Sequence, residues 1–347
     1  MIDLTLGTVM SSRIRLARNL NGYPFPARLK SDRQAKEIIR AVSAAINRLD
    51  EFGLYYMDGI SKDDALNLVE NRLISPALLN TPSRSAVLIR ETDNAQTEDL
   101  HYDLSIMINE EDHLREQCIA EGLSIRKAYE LMSEKDSLIA HSIPFAYDER
   151  LGYLTACPTN LGTGLRASVM LFLPALELTG MMSDVFASVR TLGLTVRGAY
   201  GEGTAAKGYT YQISNEVTLG VSEEKILTEV ETVVKKIVQM EASKRQELKK
   251  CSQTMAVKDK CMRAYGVLTN CALLNNDELD SLCADIKLGV CLGFLKVNEI
   301  SSIDELMHKT KPSNLNMLSG RQLSGEEREI YLAQYASNRI KSLVFKC

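Results

Sequence analysis

Arginines at positions 13, 15, 115, 166 and 197 each stand in or beside a short apolar run, and carboxylates lie close to several of them. A guanidinium fork binds a phosphate through two parallel N–H groups, so arginines gathered at one place make an anion site. In Ser11-Ser-Arg-Ile-Arg-Leu-Ala-Arg18 an extended backbone puts Arg13 and Arg15 on one face, with Ile14 and Leu16 turned to a core. A solvated polar face is the alternative. In Glu110-Glu-Asp-His-Leu-Arg115, three acids follow the apolar run Leu104–Asn109. A carboxylate beside arginines stays ionised and fixed in place, suited to accept a proton or orient a cation; a charged turn is the plain alternative.

The stretch from Leu151 to Pro174 is the one around which the chain is organised. It passes from a short apolar strand through Cys157-Pro-Thr-Asn-Leu-Gly-Thr-Gly164 and Arg166 into a second strand that Pro174 closes. Gly162 and Gly164 allow the backbone to come close to a ligand. The pair lacks the third glycine of a dinucleotide fingerprint and the Lys-Ser/Thr of a P-loop, and it leads into a strand. A second glycine-rich element, Leu194–Thr204, ends a strand at Arg197 and exposes Glu202 between Gly201 and Gly203. Such a loop can close over a substrate, or serve as an ordinary hairpin connection.

The elements that must position these groups follow from periodicity. Strands are expected at 54–57, 86–90, 104–109, 194–197, 209–214 and 217–219, and helices over about 31–49, 61–75, 123–138, 175–190 and 222–250. Strand signals nearly vanish after Cys251. Helical stretches follow near 254–268, 277–292, 301–309 and 324–342, with Lys311-Pro-Ser-Asn as a loop and Ser324/Glu327 in capping-box spacing. The expectation is an α/β body over residues 1–245 and a small all-helical domain over 246–347.

With 347 residues, 45% of them hydrophobic, the chain can fill more than one core. A formal charge of −4 argues against general nucleic-acid binding, so anion chemistry must come from arginines gathered locally. No basic-then-apolar leader or membrane-length run is visible, which reads as a soluble, cytoplasmic protein without membrane association. Eight cysteines spread along such a chain read as buried thiols, and four histidines without metal-ligand spacing leave no expected metal site.

Together, Ser11–Asn19, Asn109-Glu-Glu-Asp-His-Leu-Arg115, Cys157–Ala167, Arg197–Glu202 and Gln212-Ile-Ser-Asn215 resemble the guanidino (phosphagen) kinase family, in family order. The resemblance is closest to the bacterial branch that phosphorylates arginine side chains in proteins. It implies a catalytic antiparallel sheet flanked by helices, followed by the helical domain. It also implies that Arg13, Arg15, Arg115, Arg166 and Arg197 embrace the phosphates of ATP with a magnesium ion. Glu111 would orient or deprotonate the guanidine, Glu202 would be the second carboxylate, and Cys157 would tune the site electrostatically. The implied partners are proteins with exposed arginines, a zinc-binding activator protein, stress-response protease machinery and a second copy in a homodimer.

Two departures from the family pattern stand out. Arg72 occupies the place where these kinases usually carry a nucleotide-pocket histidine. In the tail, Arg328-Glu-Ile-Tyr-Leu-Ala333 keeps one arginine of a phosphoarginine-reading motif and replaces the other with Leu332, which predicts a weakened or lost sensor. The leading function is an ATP-dependent kinase of arginine residues in proteins, marking them for stress-response proteolysis. A kinase for free arginine or another small guanidine, and a catalytically weak scaffold of the same fold, are the alternatives.

Overall fold

The computed structural model describes residues 7–46, 52–90, 102–198, 207–252 and 254–346. Eight strands form one fully antiparallel sheet: β1 (Val9–Arg18), β2 (Phe52–Tyr56), β3 (Ala86–Arg90), β4 (Tyr102–Ile108), β5 (Leu114–Glu121), β8 (Leu165–Phe172), β9 (Leu194–Gly198) and β10 (Thr210–Asn215). Their order is β2-β3-β4-β5-β1-β8-β10-β9, which places β1 in the interior between β5 and β8. Two-residue strands β6 (Tyr147–Asp148) and β7 (Gly152–Tyr153) pair separately ahead of β8.

The period of two decides the two faces of the sheet. Ile14 and Leu16 of β1, Leu104 and Ile106 of β4, Cys118 of β5 and Ala167, Val169 and Leu171 of β8 are all buried on one face. Helices α1 (Asp32–Ile46), α3 (Ile125–Ser142) and α6 (Glu223–Leu248) cover it with apolar stripes such as Ile38, Ile39, Val42 and Val230, Val233, Val234, Ile237. The opposite face is covered only in part. Beyond β2–β4, helix α2 (Lys62–Glu70) and the chain after it close a small core of Met57, Ile74, Leu78, Val87 and Met107. The middle of that face carries arginines.

Helices α7 (Thr254–Asn270), α8 (Asn276–Leu292), α9 (Ser301–Lys309), α10 (Pro312–Ser319) and α11 (Gly325–Leu343) enclose a second core around Leu268, Leu279, Ile286, Leu306, Leu315 and Ile340. A short strand pair, β11 (Leu295–Val297) with β12 (Val344–Lys346), accompanies them. A third cluster, with Phe172, Ala175, Tyr209, Val257 and Leu288, joins the two parts.

Several expected elements differ. The helix foreseen over 175–190 is two, α4 (Pro174–Leu178) and α5 (Met182–Arg190), separated where Gly180 takes φ +72°. Residues 217–219 form no strand: Asn215 Nδ2 donates to Val217 O at 3.2 Å and turns the chain out of the sheet. Lys311-Pro-Ser-Asn is the start of α10, with Pro312 at the first helical position, where its missing N–H is not needed. Strand β5 was not foreseen. Its Glu116 and Gln117 break the apolar pattern yet are buried.

Candidate active site

Register gathers the arginines. Arg15 sits opposite Arg166 on one side and Gln117 on the other, and Gln117 is two residues from Arg115, so these side chains share a face. Arg197 faces Gln212, which lies opposite Met170, four residues from Arg166, on that same face. Arg13 Nη2 donates to Gln212 Oε1 at 3.3 Å, and Arg166 Nη2 to Ser214 Oγ at 3.3 Å. All five arginines named from the sequence therefore stand on the uncovered face of adjoining strands. Arg18, of opposite parity, points into the helix-covered core, where it binds Asp136 of α3 at 3.0 Å and lies 3.6 Å from the Tyr153 ring.

The cluster is electrostatically uncomfortable. Burial, then repulsion from Arg72, Arg115 and Arg166, lowers Arg13 to about 10. Arg15 is lowered well below its ordinary value by burial and by Arg13, Arg115 and Arg166, with Glu110 the one opposing neighbour. The buried Nε of Arg15 has no hydrogen-bond partner among the described residues. A patch of this kind accommodates a polyanion, which would supply both the missing charge and the missing acceptors.

Backbone geometry presents the acids at the end of the β4–β5 hairpin. Asn109 takes φ +61°, a left-handed conformation that asparagine tolerates, and its Nδ2 donates to Ala35 O at 3.2 Å and Arg84 O at 2.9 Å. His113 N donates to Asn19 Oδ1 at 2.9 Å, and Asn19 Nδ2 to Asp112 Oδ1 at 2.6 Å. Asp112 Oδ1 also accepts from Ala156 N at 2.6 Å, which moors the chain leading to Cys157 beside the hairpin. The His113 ring, fully buried, accepts from Leu20 N at Nδ1 (3.1 Å) and so donates from Nε2 to Pro24 O (3.1 Å). Burial pushes His113 down to about 4, so it is neutral at physiological pH.

The two glutamates, between which the family resemblance and not the spacing selects Glu111, differ in surroundings. Glu110 is held: its oxygens accept from Arg115 Nη1 at 2.9 and 3.0 Å, and Ser75 Oγ bonds it as well. Glu111 is exposed at the mouth of the site, and partial burial with Asp112 and Glu110 nearby raises its carboxyl above the ordinary value. Cys157 Sγ lies 3.1 Å from Thr159 Oγ1 at the start of the turn Pro158–Asn160. Arg15, Glu110, Glu111, Asp112, Arg115, Cys157, Thr159, Asn160, Gly164 and Arg166 line one cleft of about 210 Å³. Of the named residues, Glu202 lies outside the described residues.

The glycines of the Cys157–Gly164 loop serve the protein's own packing. A Cβ on Gly162 would stand 2.3 Å from Thr218 O, and one on Gly164 2.6 Å from Ala17 O; both residues have positive φ. They admit the protein's own backbone at close range, and only Gly164 also lines the cleft. Sequence reasoning missed Asp112, Asn19 and Ser75 as supports; the first two lay inside quoted motifs without a role. In the tail, Leu332 is buried in the C-terminal core and Arg328 Nη2 donates to Leu323 O at 3.3 Å, an arrangement that differs from a paired-arginine site.

Comparison with known proteins agrees with this geometry. The family described as "ATP:guanido phosphotransferase, C-terminal catalytic domain" matches residues 34–244, and "Protein-arginine kinase McsB C-terminal domain" matches residues 254–345. The protein-arginine kinase of Caldanaerobacter subterraneus subsp. tengcongensis is 42% identical over 345 residues, covering 98% of this chain and 99% of that one. That of Geobacillus stearothermophilus is 41% identical, covering 96% and 90%. Among solved structures, lombricine kinase superposes with a TM-score of 0.57 at 29% identity, over 67% of this chain and 66% of that chain. The duplicated taurocyamine kinase from Schistosoma mansoni, with bound transition state analog components, gives 0.62 at 26% identity, over 76% of this chain and 38% of that chain. An antiparallel sheet presenting arginines beside a carboxylate-bearing hairpin, a catalytic-family match across most of the sheet and full-length relatives above 40% identity lead to one assignment: the chain belongs to the ATP:guanido phosphotransferase family, in the branch of the protein-arginine kinases.

Proposed function

We propose that this protein transfers the γ-phosphoryl group of ATP to the guanidinium of arginine side chains in other proteins. The observation that carries the reading is the meeting of two opposed fields in one cleft: Arg15, Arg115 and Arg166 on the sheet and Glu110, Glu111 and Asp112 on the hairpin. The arginine side suits a triphosphate, the acidic side a cationic guanidinium. Magnesium is proposed to arrive as MgATP, held by the phosphates.

In this reading Arg13, Arg15, Arg115, Arg166 and Arg197 hold the phosphates and stabilise charge on the equatorial oxygens during in-line transfer. Glu111 fixes the guanidinium plane and accepts the proton released as the nitrogen–phosphorus bond forms and the bond from the γ-phosphorus to the bridging oxygen breaks. Its exposure and raised carboxyl pKa support that role, whereas Glu110, paired with Arg115, suits positioning the phosphate side. Cys157 sits where its thiol can tune the guanidine pocket, and Glu202 is the proposed second carboxylate. We place the division between the catalytic and helical domains at residues 245/246, and assign the helical domain to a homodimer and to docking of a zinc-binding activator and protease machinery. No helix among the described residues is long and apolar enough to cross a membrane; a cytoplasmic site of action is part of the proposal.

The test is acid-labile phosphate incorporation from MgATP into an arginine-rich protein, with free arginine in parallel and Glu111→Gln as control. Protein labelling that falls by about 10²- to 10⁴-fold in the variant is expected for a lost general base. Labelling of free arginine alone would replace the reading with a small-guanidine kinase, and no labelling by folded protein supplied with the activator would overturn it.

A further inference from the structure

The turn that follows α2, Glu70 to Ser75, is tied on both sides. Toward the arginine face, Arg72 O accepts from Gln117 Nε2 at 2.6 Å, and Gln117 is the strand neighbour of Arg15. Ser75 Oγ bonds Glu110, the carboxylate that holds Arg115. Between them Arg72 takes φ +62°, a conformation that costs a non-glycine residue about 1–2 kcal/mol and persists only where its surroundings impose it. Its charge reaches both sides: after burial, Arg72 is the largest cause of the lowered Arg13, and it also contributes to the lowered Lys311 and His308 of the helical part.

Toward the helical part, Glu70 Oε2 accepts from Ser313 N at 3.0 Å and Ser313 Oγ at 2.5 Å, and Glu70 O accepts from Lys311 Nζ. Asn67 Nδ2 donates to Asn314 Oδ1 at 2.5 Å, and Asn314 Nδ2 to Asn71 Oδ1 at 3.2 Å. These are polar contacts between elements more than 240 residues apart in sequence; those at Glu70 and Asn71 end two and one residues from Arg72, and Asn67 Oδ1 is tied to the same turn by accepting from Asn71 Nδ2 at 2.9 Å.

We propose that Asn67 and Glu70, clasped by Ser313 and Asn314 of α10, are positioning residues for nucleotide binding: the helical part holds the turn that carries Arg72 beside the arginine face and so sets affinity for MgADP and MgATP without touching them. The inference rests on the arginine face being the nucleotide site. Reciprocity follows, since whatever the clasp adds to nucleotide affinity the nucleotide adds to the clasp. A contact that served only to dock α10 would affect stability and leave nucleotide affinity alone.

The experiment is calorimetric titration of the full chain with MgADP. Asn67→Ala/Asn314→Ala and Glu70→Ala should each weaken binding by about 5- to 10-fold, the range for losing one or two hydrogen bonds that orient a charged group. Glu70→Gln, which keeps an acceptor for Ser313, should lie nearer the wild type, and KM for the arginine-bearing protein should not change. In an Arg72→Ala background the same changes should add less than about twofold, because the residue they position is gone. Should any of these variants fold poorly, hydrogen exchange of the wild type supplies the answer: MgADP should increase protection over both 67–75 and 311–316. Unchanged affinity in folded variants, an undiminished effect without Arg72, or protection confined to the arginine strands would overturn the inference. A wild type that binds no MgADP would refute the nucleotide reading itself, a different failure.

Discussion

His113 lies in sequence between Asp112 and Arg115, and its buried ring, bonded to Leu20 N and Pro24 O, makes it a support with a measurable signature. Its ordinary value of 6.5 is lowered to about 4 by burial, with the bond to Pro24 O opposing. Between those values the unfolded chain binds a proton that the folded protein refuses, so stability is fully present above 6.5 and falls as the pH drops toward 4. The whole span is worth about 3 kcal/mol, and the portion lost between pH 7 and pH 5 is about 2 kcal/mol. Raised carboxyls such as Asp112 and Glu116 work in the opposite sense, gaining stability on acidification, so the total curve mixes signs. Comparison with His113→Gln removes them, since they titrate in both proteins. Urea unfolding at pH 7 and pH 5 should find the variant less stable at pH 7, through loss of a ring hydrogen bond, with the gap closing by about 2 kcal/mol at pH 5. The chain has four histidines, so imidazole NMR can follow each ring: the signal missing in His113→Gln should not titrate between pH 8 and pH 5 in the wild type. Parallel stability curves, or a ring that titrates near 6.5, would refute the reasoning.

Arg15→Met should separate function from stability: removing a half-buried, repelled cation should raise the melting temperature of the nucleotide-free protein by a few degrees, while MgADP affinity falls about 100-fold. Scanning calorimetry with and without MgADP reads both, and a destabilised variant of normal affinity would contradict the electrostatic account. Gly164→Ala should destabilise by at least about 2 kcal/mol, because it combines a left-handed backbone with a Cβ 2.6 Å from Ala17 O; denaturant unfolding that matches the wild type would show that the loop can relax away from β1.

What could be read from the sequence follows the range over which each signal acts. Alternation in Arg13-Ile-Arg-Leu16 is local, and it correctly opposed two arginines to a core. The site's registry is not local: nothing within Leu114–Glu121 identifies it as the strand that sets Arg115 and Gln117 beside Arg15, because Glu116 and Gln117 look like surface residues. Their burial depends on a partner strand about 100 positions away. The two glycines of the central loop were visible, but the backbone they admit, Thr218 and Ala17, comes from elsewhere in the chain. The resemblance alone named Glu111; the different surroundings of Glu110, bonded by Ser75 and Arg115, became visible only in space. Motifs in family order identified which residues to examine, while their supports became visible only through contacts between distant segments.

The sheet can tolerate such a face because its two sides do different work. The helix-covered side carries a nearly continuous apolar core from α1 through α6, the dominant favourable contribution to the fold. Arg13, Arg15, Arg115 and Arg166 add nothing comparable and repel one another. Their positions are nevertheless fixed, since the strands that carry them are held by ladder hydrogen bonds and by the core beneath. Repulsion that is present before a polyanion arrives, and relieved when it does, contributes to affinity without a rearrangement of the backbone. Arg72 differs, because it stands on a turn tied by side-chain hydrogen bonds instead of a sheet ladder. Nucleotide affinity should therefore respond to the helical part through Arg72 and be insensitive to it through the five strand arginines.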